Sequence, residues 1–150
     1  MKELIEKELN QFKDTNGAQE GISNNDFDRI LKMISDEIPQ ESFPIVMHHF
    51  LKLKNKIGLE IYWQTEQWWS QVSDFAANHI YETIDFVKNE CSADEFSTLS
   101  EIFDDITQKA RSKQFIEVLR EIAKKFPEEC KKYYIVGAID DAEAYLQKVD

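Results

Sequence analysis

Five side chains of this sequence have the chemistry of a nucleophile, a general base or a metal ligand near neutral pH: His48, His49, His79, Cys91 and Cys130. To act together they must share a face. His48 and His49 are adjacent, and on a helix adjacent side chains diverge by about 100°, so they are poor joint ligands for one ion. Neither has a second His four residues on, and no H-E-x-x-H occurs. His79 stands at helical spacing from Phe75 and Phe86, which makes it a core histidine. Cys91 and Cys130 are neither closely spaced nor part of a cysteine framework, and they read as reduced thiols, mostly buried. The carboxylate pairs of "DD" at 104–105 and "DDAE" at 140–143 lack the Glu-x-x-His spacing of a carboxylate metal site and read as solvated helix faces. There is no G-x-S-x-G, no phosphate-cradling Gly-rich loop and no dinucleotide fingerprint. An enzyme would need a fold that gathers His48, His49, His79 or Cys91 with carboxylates. The expectation is therefore no catalytic residue, no metal, no cofactor and no enzymatic activity.

The other chemistry is recognition. "YWQTEQWW" at 62–69 places four large aromatic rings in eight residues and holds all three tryptophans of the chain. At a step of about 100° per residue, Ile61, Thr65, Trp68, Trp69, Val72, Phe75, Ala76, His79, Thr83, Phe86 and Val87 share one broad face, with Tyr62 and Ile80 at its edge. Trp63 projects from the opposite side, beside Glu60, Glu66, Gln67, Ser70 and Asp74. A tryptophan among carboxylates suits a binding anchor: the ring supplies buried area, and the charges steer a basic partner. The competing expectation is that another helix covers Trp63.

Charge points the same way. The net charge is −11, and it is unevenly placed. Residues 59–108 hold eleven acidic side chains and one basic one, Lys88. Residues 109–139 hold eight basic and four acidic side chains. An acidic field of this kind repels nucleic acid and anionic membranes and attracts cationic partners. The basic run, interleaved with glutamates and lacking an aromatic platform, reads as surface balance or as an intramolecular complement to the acidic helices.

The elements that position these groups read as helices. The chain has 150 residues, 42% apolar, with only four Gly and three Pro, the size of one domain with a sizeable core. Leu4, Ile5, Leu9 and Phe12 form a first stripe, and "DTNGAQEGISNN" comes next as a loop. Phe27, Ile30, Leu31, Ile34 and Ile38 form a second stripe, capped by Ser23 or Asn24 and ended by Pro39. Ser42 and Pro44 open a third helix, with Gly58 as its stop. Residues 59–90 contain neither Gly nor Pro and fit one helix or two, with Ser73-Asp74 as the joint. "GLEIYW" has strand propensity, but the residues after it have helical spacing. Ser92 and Glu95 form a capping box, Ser112 caps the next helix, Pro127 starts another, and a last one begins after Gly137. No apolar run approaches the 18 or so residues of a membrane span, and residues 1–20 are too polar for a secretory signal.

The expected fold is all-α: a single domain over residues 1–150, built as a multi-helix bundle or a short helical-repeat-like array of seven to eight helices. In size, acidity, helical make-up and lack of a catalytic motif the chain resembles the immunity proteins of bacterial toxin systems. The resemblance is one of overall character across the chain, and no motif transfers a residue. It implies a cytoplasmic bacterial inhibitor that binds a basic protein, a cognate nuclease toxin, by charge pairing and an aromatic anchor, with no direct contact to nucleic acid or membrane. The residues expected to bind the partner are Glu60, Trp63, Glu66, Gln67, Asp74, Glu101, Asp104 and Asp105. The alternatives are a phage-type inhibitor or DNA mimic that presents the same carboxylates in place of phosphates, a helical adaptor, and an enzyme.

Overall fold

A computed structural model describes residues 2–59 and 61–147. Among the described residues there are ten α-helices and no strand. In chain order they are α1 (Lys2–Asn10), α2 (Asn24–Glu37), α3 (Phe43–Lys54), α4 (Tyr62–Asn78), α5 (Ile80–Asn89), α6 (Ala93–Ser100), α7 (Phe103–Ala110), α8 (Lys113–Ala123), α9 (Pro127–Tyr133) and α10 (Ile135–Gln147). The chain divides into two compact units, the first up to Ser70 and the second from Gln71. No helix among the described residues is long and apolar enough to cross a membrane.

Serine side chains cap the starts of α2, α6 and α8. The Ser23 hydroxyl accepts from the Asp26 N–H at α2, the Ser112 hydroxyl accepts from Phe115 N–H at α8, and Ser92 with Glu95 completes the reciprocal capping box at α6. Ser42 opens α3 through its extended backbone alone, with Pro44 in the first turn.

In the first unit α1, α2 and α3 pack on one another. Ile5, Leu9, Phe27, Ile30, Ile34, Met47, Phe50 and Leu53 are closed off from solvent, a set that spans the three amphipathic stripes. Trp68 of α4 joins them with no exposure, and its indole N–H donates to the Phe50 carbonyl at 2.7 Å, which meets the need of a buried Trp for a partner. The loop between α1 and α2 is fastened to the segment after α3. Thr15 N–H donates to Asn55 O, Ile22 N–H to Lys56 O, and Leu59 N–H to Ala18 O. Lys56 Nζ meets Asp14 Oδ1 at 2.7 Å. Gly58 is not the stop of α3, which ends at Lys54. It lets the loop approach: a Cβ on Gly58 would lie 2.5 Å from Gln19 O, and one on Gly21 would lie 2.4 Å from Gly58 N.

In the second unit α10 packs against α6, α7, α8 and α9, and α5 lies on α8. Phe96, Phe103 and Phe115 form a chain of ring contacts at 5.4 and 6.1 Å. Two breaks raise the helix number above the expected eight. The joint in the long Gly-free stretch falls at His79, not at Ser73-Asp74. The buried Thr83 hydroxyl bridges it, within 2.8 Å of Ala76 O and 3.0 Å of His79 O. The second break, at Glu101-Ile102, separates α6 from α7. Arg111 and Tyr134 stop α7 and α9 in the left-handed conformation, at φ 52 and 58°. Glycine or asparagine is the usual residue there, so the sequence carried no signal for either stop.

Candidate interaction surface

The residues with catalytic potential are engaged in structure. His49 and Glu37 are a buried pair in the first unit, with 3% and 2% exposure, and Nδ1 lies 2.7 Å from Oε1. The other ring nitrogen faces Glu6 at 3.7 Å. His79 is not a core residue as expected. It sits at the α4–α5 joint, half-buried, with Nδ1 3.2 Å from Glu82 Oε1 and its ring against Phe75. Burial pushes the Cys91 thiol far above its ordinary range, with Glu95 adding to the effect, so a reactive thiolate is disfavoured there. The Cys130 thiol is also raised, first by burial and then by Glu129. Among the described residues no three His, Cys, Asp or Glu side chains gather as a metal ion would require.

The aromatic stretch sorts itself by burial. The strip of α4 that turns inward is Gln64, Trp68, Val72, Ser73, Phe75 and Ala76. Trp68, Val72, Phe75 and Ala76 belong to the expected face, and Gln64 and Ser73 widen it at opposite edges, because these two polar residues find buried partners. Gln64 Nε2 donates to Ile22 O and to Asn24 Oδ1, both at 2.8 Å, and Ser73 Oγ accepts from Lys109 Nζ at 2.8 Å. Trp69 is half-buried, with Tyr62 edge-on to it at 5.7 Å.

Trp63 is 42% exposed. Its ring approaches Phe27 of the same unit edge-to-face at 6.1 Å. The first turn of α4 is pinned one residue later by Gln64, so the Trp63 ring is presented from a fixed backbone. Glu66 is exposed and Gln67 half-buried on the same helix. Glu60 lies outside the described residues.

In the second unit Asp74 is exposed and meets Lys109 Nζ at 2.6 Å. That ion pair is one place where the basic run complements an acidic helix. Arg120 turns instead to Asp140 and Glu143 of α10. Glu101 is exposed at the end of α6, while Asp104 and Asp105 are half-buried in the first turn of α7. The N-terminal end of the helix favours carboxylates there, and Asp104 Oδ1 accepts from the Asp105 N–H at 2.8 Å. Half-burial holds the Asp105 carboxyl above the usual carboxylate range. The charge of Asp104 adds to this, and Lys109 opposes it.

One exposed ring of the second unit was missed in the sequence. Tyr81 of α5 is 77% exposed. Glu82, Asp85, Lys88 and Asn89 are exposed on the same helix, while Thr83, Ile84, Phe86 and Val87 face inward. The helical spacing that singles out Trp63 also places Tyr81 on the outer face, but the tryptophan cluster is the louder signal. No protein-family model, curated protein or solved structure matches this chain.

Proposed function

We propose that this protein is a binding protein of the immunity type. It neutralises a basic protein, a cognate nuclease toxin, by covering the cationic surface with which that toxin grips phosphates. One observation carries the reading. Between residues 71 and 108 there are nine carboxylates and one basic side chain. Asp74, Glu82, Asp85, Glu90, Asp94 and Glu101 are exposed, and Glu95, Asp104 and Asp105 are half-buried. Charges on solvent-facing helix positions steer encounter with a cationic partner and raise the association rate. Large exposed rings supply the apolar contact that charge alone does not, because interface energy concentrates on a few aromatic and Arg residues. Tyr81 fills that role in the second unit and Trp63 in the first.

The test is capture with the immobilised full chain from the organism that encodes it, with elution by rising salt. The expected result is a basic protein encoded beside this chain, with nuclease activity that the chain suppresses. Its association rate should fall as salt shortens the Debye length from about 10 Å at 0.1 M. Tyr81→Ala and Trp63→Ala should each weaken the complex. A partner that is not basic, or binding indifferent to salt, overturns the reading. Capture of several unrelated nucleic-acid-binding proteins would instead support a DNA mimic.

A further inference from the structure

Asn16-Gly17 is the only Asn-Gly pair in the sequence; the other six asparagines precede Gln, Asn, Asp, Lys, His or Glu. The pair forms a turn in the first unit, between α1 and α2. Ala18 N–H donates to Thr15 O at 2.9 Å, and φ is 50° at Asn16 and 87° at Gly17. Positive φ at both central residues marks a type I′ turn, which favours Asn followed by Gly. The turn explains both residue types. It also sets a side-chain carboxamide next in sequence to a backbone nitrogen with no Cβ beside it, and asparagine is among the thermolabile residues.

The surroundings leave this chemistry open at Asn16. Asn16 and Gly17 are exposed, and a Cβ added at Gly17 would meet nothing within 4 Å, so no neighbouring group shields the reacting atoms. The residues on either side of the pair are fastened. Thr15 N–H donates to Asn55 O at 2.9 Å and its hydroxyl to Ile57 O at 3.0 Å, and Ala18 O accepts from Leu59 N–H at 3.1 Å. Cyclisation needs the peptide between Asn16 and Gly17 to rotate out of the closed turn. Opening the Ala18–Thr15 hydrogen bond permits this as a local event that leaves the core intact. Elsewhere the chemistry is restrained. Asn10, Asn24, Asn25, Asn78 and Asn89 lie in helices, where the backbone is fixed. Asn55 precedes the buried Lys56, whose N–H donates to Leu53 O at 3.0 Å.

We infer that Asn16 is a deamidation site of the folded protein. The Gly17 nitrogen, its proton taken by hydroxide, attacks Asn16 Cγ. The N–Cγ bond forms, the Cγ–Nδ2 bond breaks, and ammonia leaves with a proton from water. Water then opens the succinimide at either carbonyl. Opening at Cγ leaves an aspartate. Opening at the main-chain carbonyl leaves an isoaspartate, whose backbone runs through the side chain and is one carbon longer. Water is the only co-reactant, and nothing is oxidised or reduced. Both products add a carboxylate to a loop that already holds Asp14 and Glu20. The isoaspartate also lengthens the tip between two fixed anchors, so it loosens the Leu59–Ala18 hydrogen bond. This site is separate from the acidic surface and does not depend on the proposed inhibition.

The test incubates the folded, full-length protein at mildly alkaline pH and follows the release of ammonia. Isoaspartate is located by methyltransferase labelling and peptide mapping. The expected result is conversion at Asn16 ahead of the other six asparagines, at a rate that rises with hydroxide. Gly17→Ala should slow it severalfold, because the added methyl group crowds the attacking nitrogen. Asn16→Gln, whose longer side chain cyclises poorly, should abolish conversion at this position and serves if Gly17→Ala disturbs the turn. The isoaspartyl fraction, separated by chromatography, should lose hydrogen-exchange protection at Leu59, whereas Asn16→Asp should keep it. Conversion that begins at another asparagine, that requires urea, or that proceeds as fast in Gly17→Ala overturns the inference. Full protection of Leu59 in the isoaspartyl fraction overturns its consequence for the loop.

Discussion

His49 Nδ1 lies 2.7 Å from Glu37 Oε1, and neither side chain reaches solvent by more than 3% of its surface. The pair joins the last turn of α2 to the middle of α3, in the core of the first unit. A carboxylate so buried is tolerated only when a partner satisfies it. Removing one member strands the other, which costs about 3–5 kcal/mol, whereas replacing both with apolar groups is far milder. His49→Leu and Glu37→Leu should each destabilise by that amount, and the double variant by clearly less than their sum. Urea unfolding followed by tryptophan fluorescence measures this, since all three tryptophans lie in α4 within the first unit. Additive losses would show that the two residues act independently.

Trp63 and Trp68 share one helix and serve opposite ends. Trp68 is fully buried with its N–H donated to Phe50 O, so Trp68→Ala should cost about 3–5 kcal/mol as a cavity in the core. Trp63→Ala should cost about 1 kcal/mol, the scale of one edge-on aromatic contact, here the one with Phe27. In the proposed complex the order reverses: Trp63→Ala should weaken binding of a basic partner by about 2 kcal/mol or more. Unfolding of the two variants by the same denaturant concentration would place Trp63 in the core and remove it from the interface.

How much of this was legible in the sequence depends on the type of signal. Caps at Ser23, Ser92 and Ser112 are local hydrogen-bonding patterns, and each stands where the spacing put it. The all-helical class comes from apolar period alone. Burial of polar residues is not local: nothing near Gln64, Glu37 or Ser73 announces that an element distant in sequence will satisfy them, so the inward face of α4 includes Gln64 and Ser73 beyond the one that spacing predicts. The stops at Arg111 and Tyr134 were silent because neither is the glycine or asparagine that usually ends a helix left-handed, yet each closes its helix by donating its N–H to the carbonyl four residues back, Thr107 O and Cys130 O. For the candidate surface of the second unit, the acidic stretch was visible in composition, but Tyr81 came forward only with its exposure.

Gly21 and Gly58 should tolerate no side chain. A Cβ on either would lie within 2.4–2.5 Å of backbone atoms across the contact, and backbone held by the Ile22–Lys56 and Leu59–Ala18 hydrogen bonds cannot swing aside as a side chain would. Gly21→Ala and Gly58→Ala should each destabilise the first unit by about 1–3 kcal/mol, the range of overpacked sites. Gly17→Ala is the control. Its added Cβ meets nothing, but φ is 87°, so its cost is conformational, about 1 kcal/mol. Hydrogen exchange separates the two cases. The close-approach variants should lose protection at Ile22 and Leu59, and Gly17→Ala should leave it intact. Full protection in Gly58→Ala would disprove the tight apposition of these two segments.

Asp105 gives the acidic surface a pH signature. Its carboxyl is held above the usual range, first by desolvation and then by Asp104, so the charged form is less favourable in the folded protein than in the unfolded chain. The folded state therefore binds the extra proton. Asp105's favourable contribution is fully present below the unfolded value of about 3.9 and is lost as pH rises through the folded value. Asp105→Asn should accordingly be more stable than the native protein at neutral pH, with the advantage shrinking in acid and vanishing below about pH 3. Melting temperatures of both proteins across that range measure it, and a neutral-pH Tm at or below native would refute the sign. The same carboxylate then links stability to binding. A cationic partner favours its charged form, so a complex that covers Asp105 should release a proton on forming and tighten as pH rises through the same window. In Asp105→Asn the protein should gain stability at neutral pH and lose that pH dependence of affinity together.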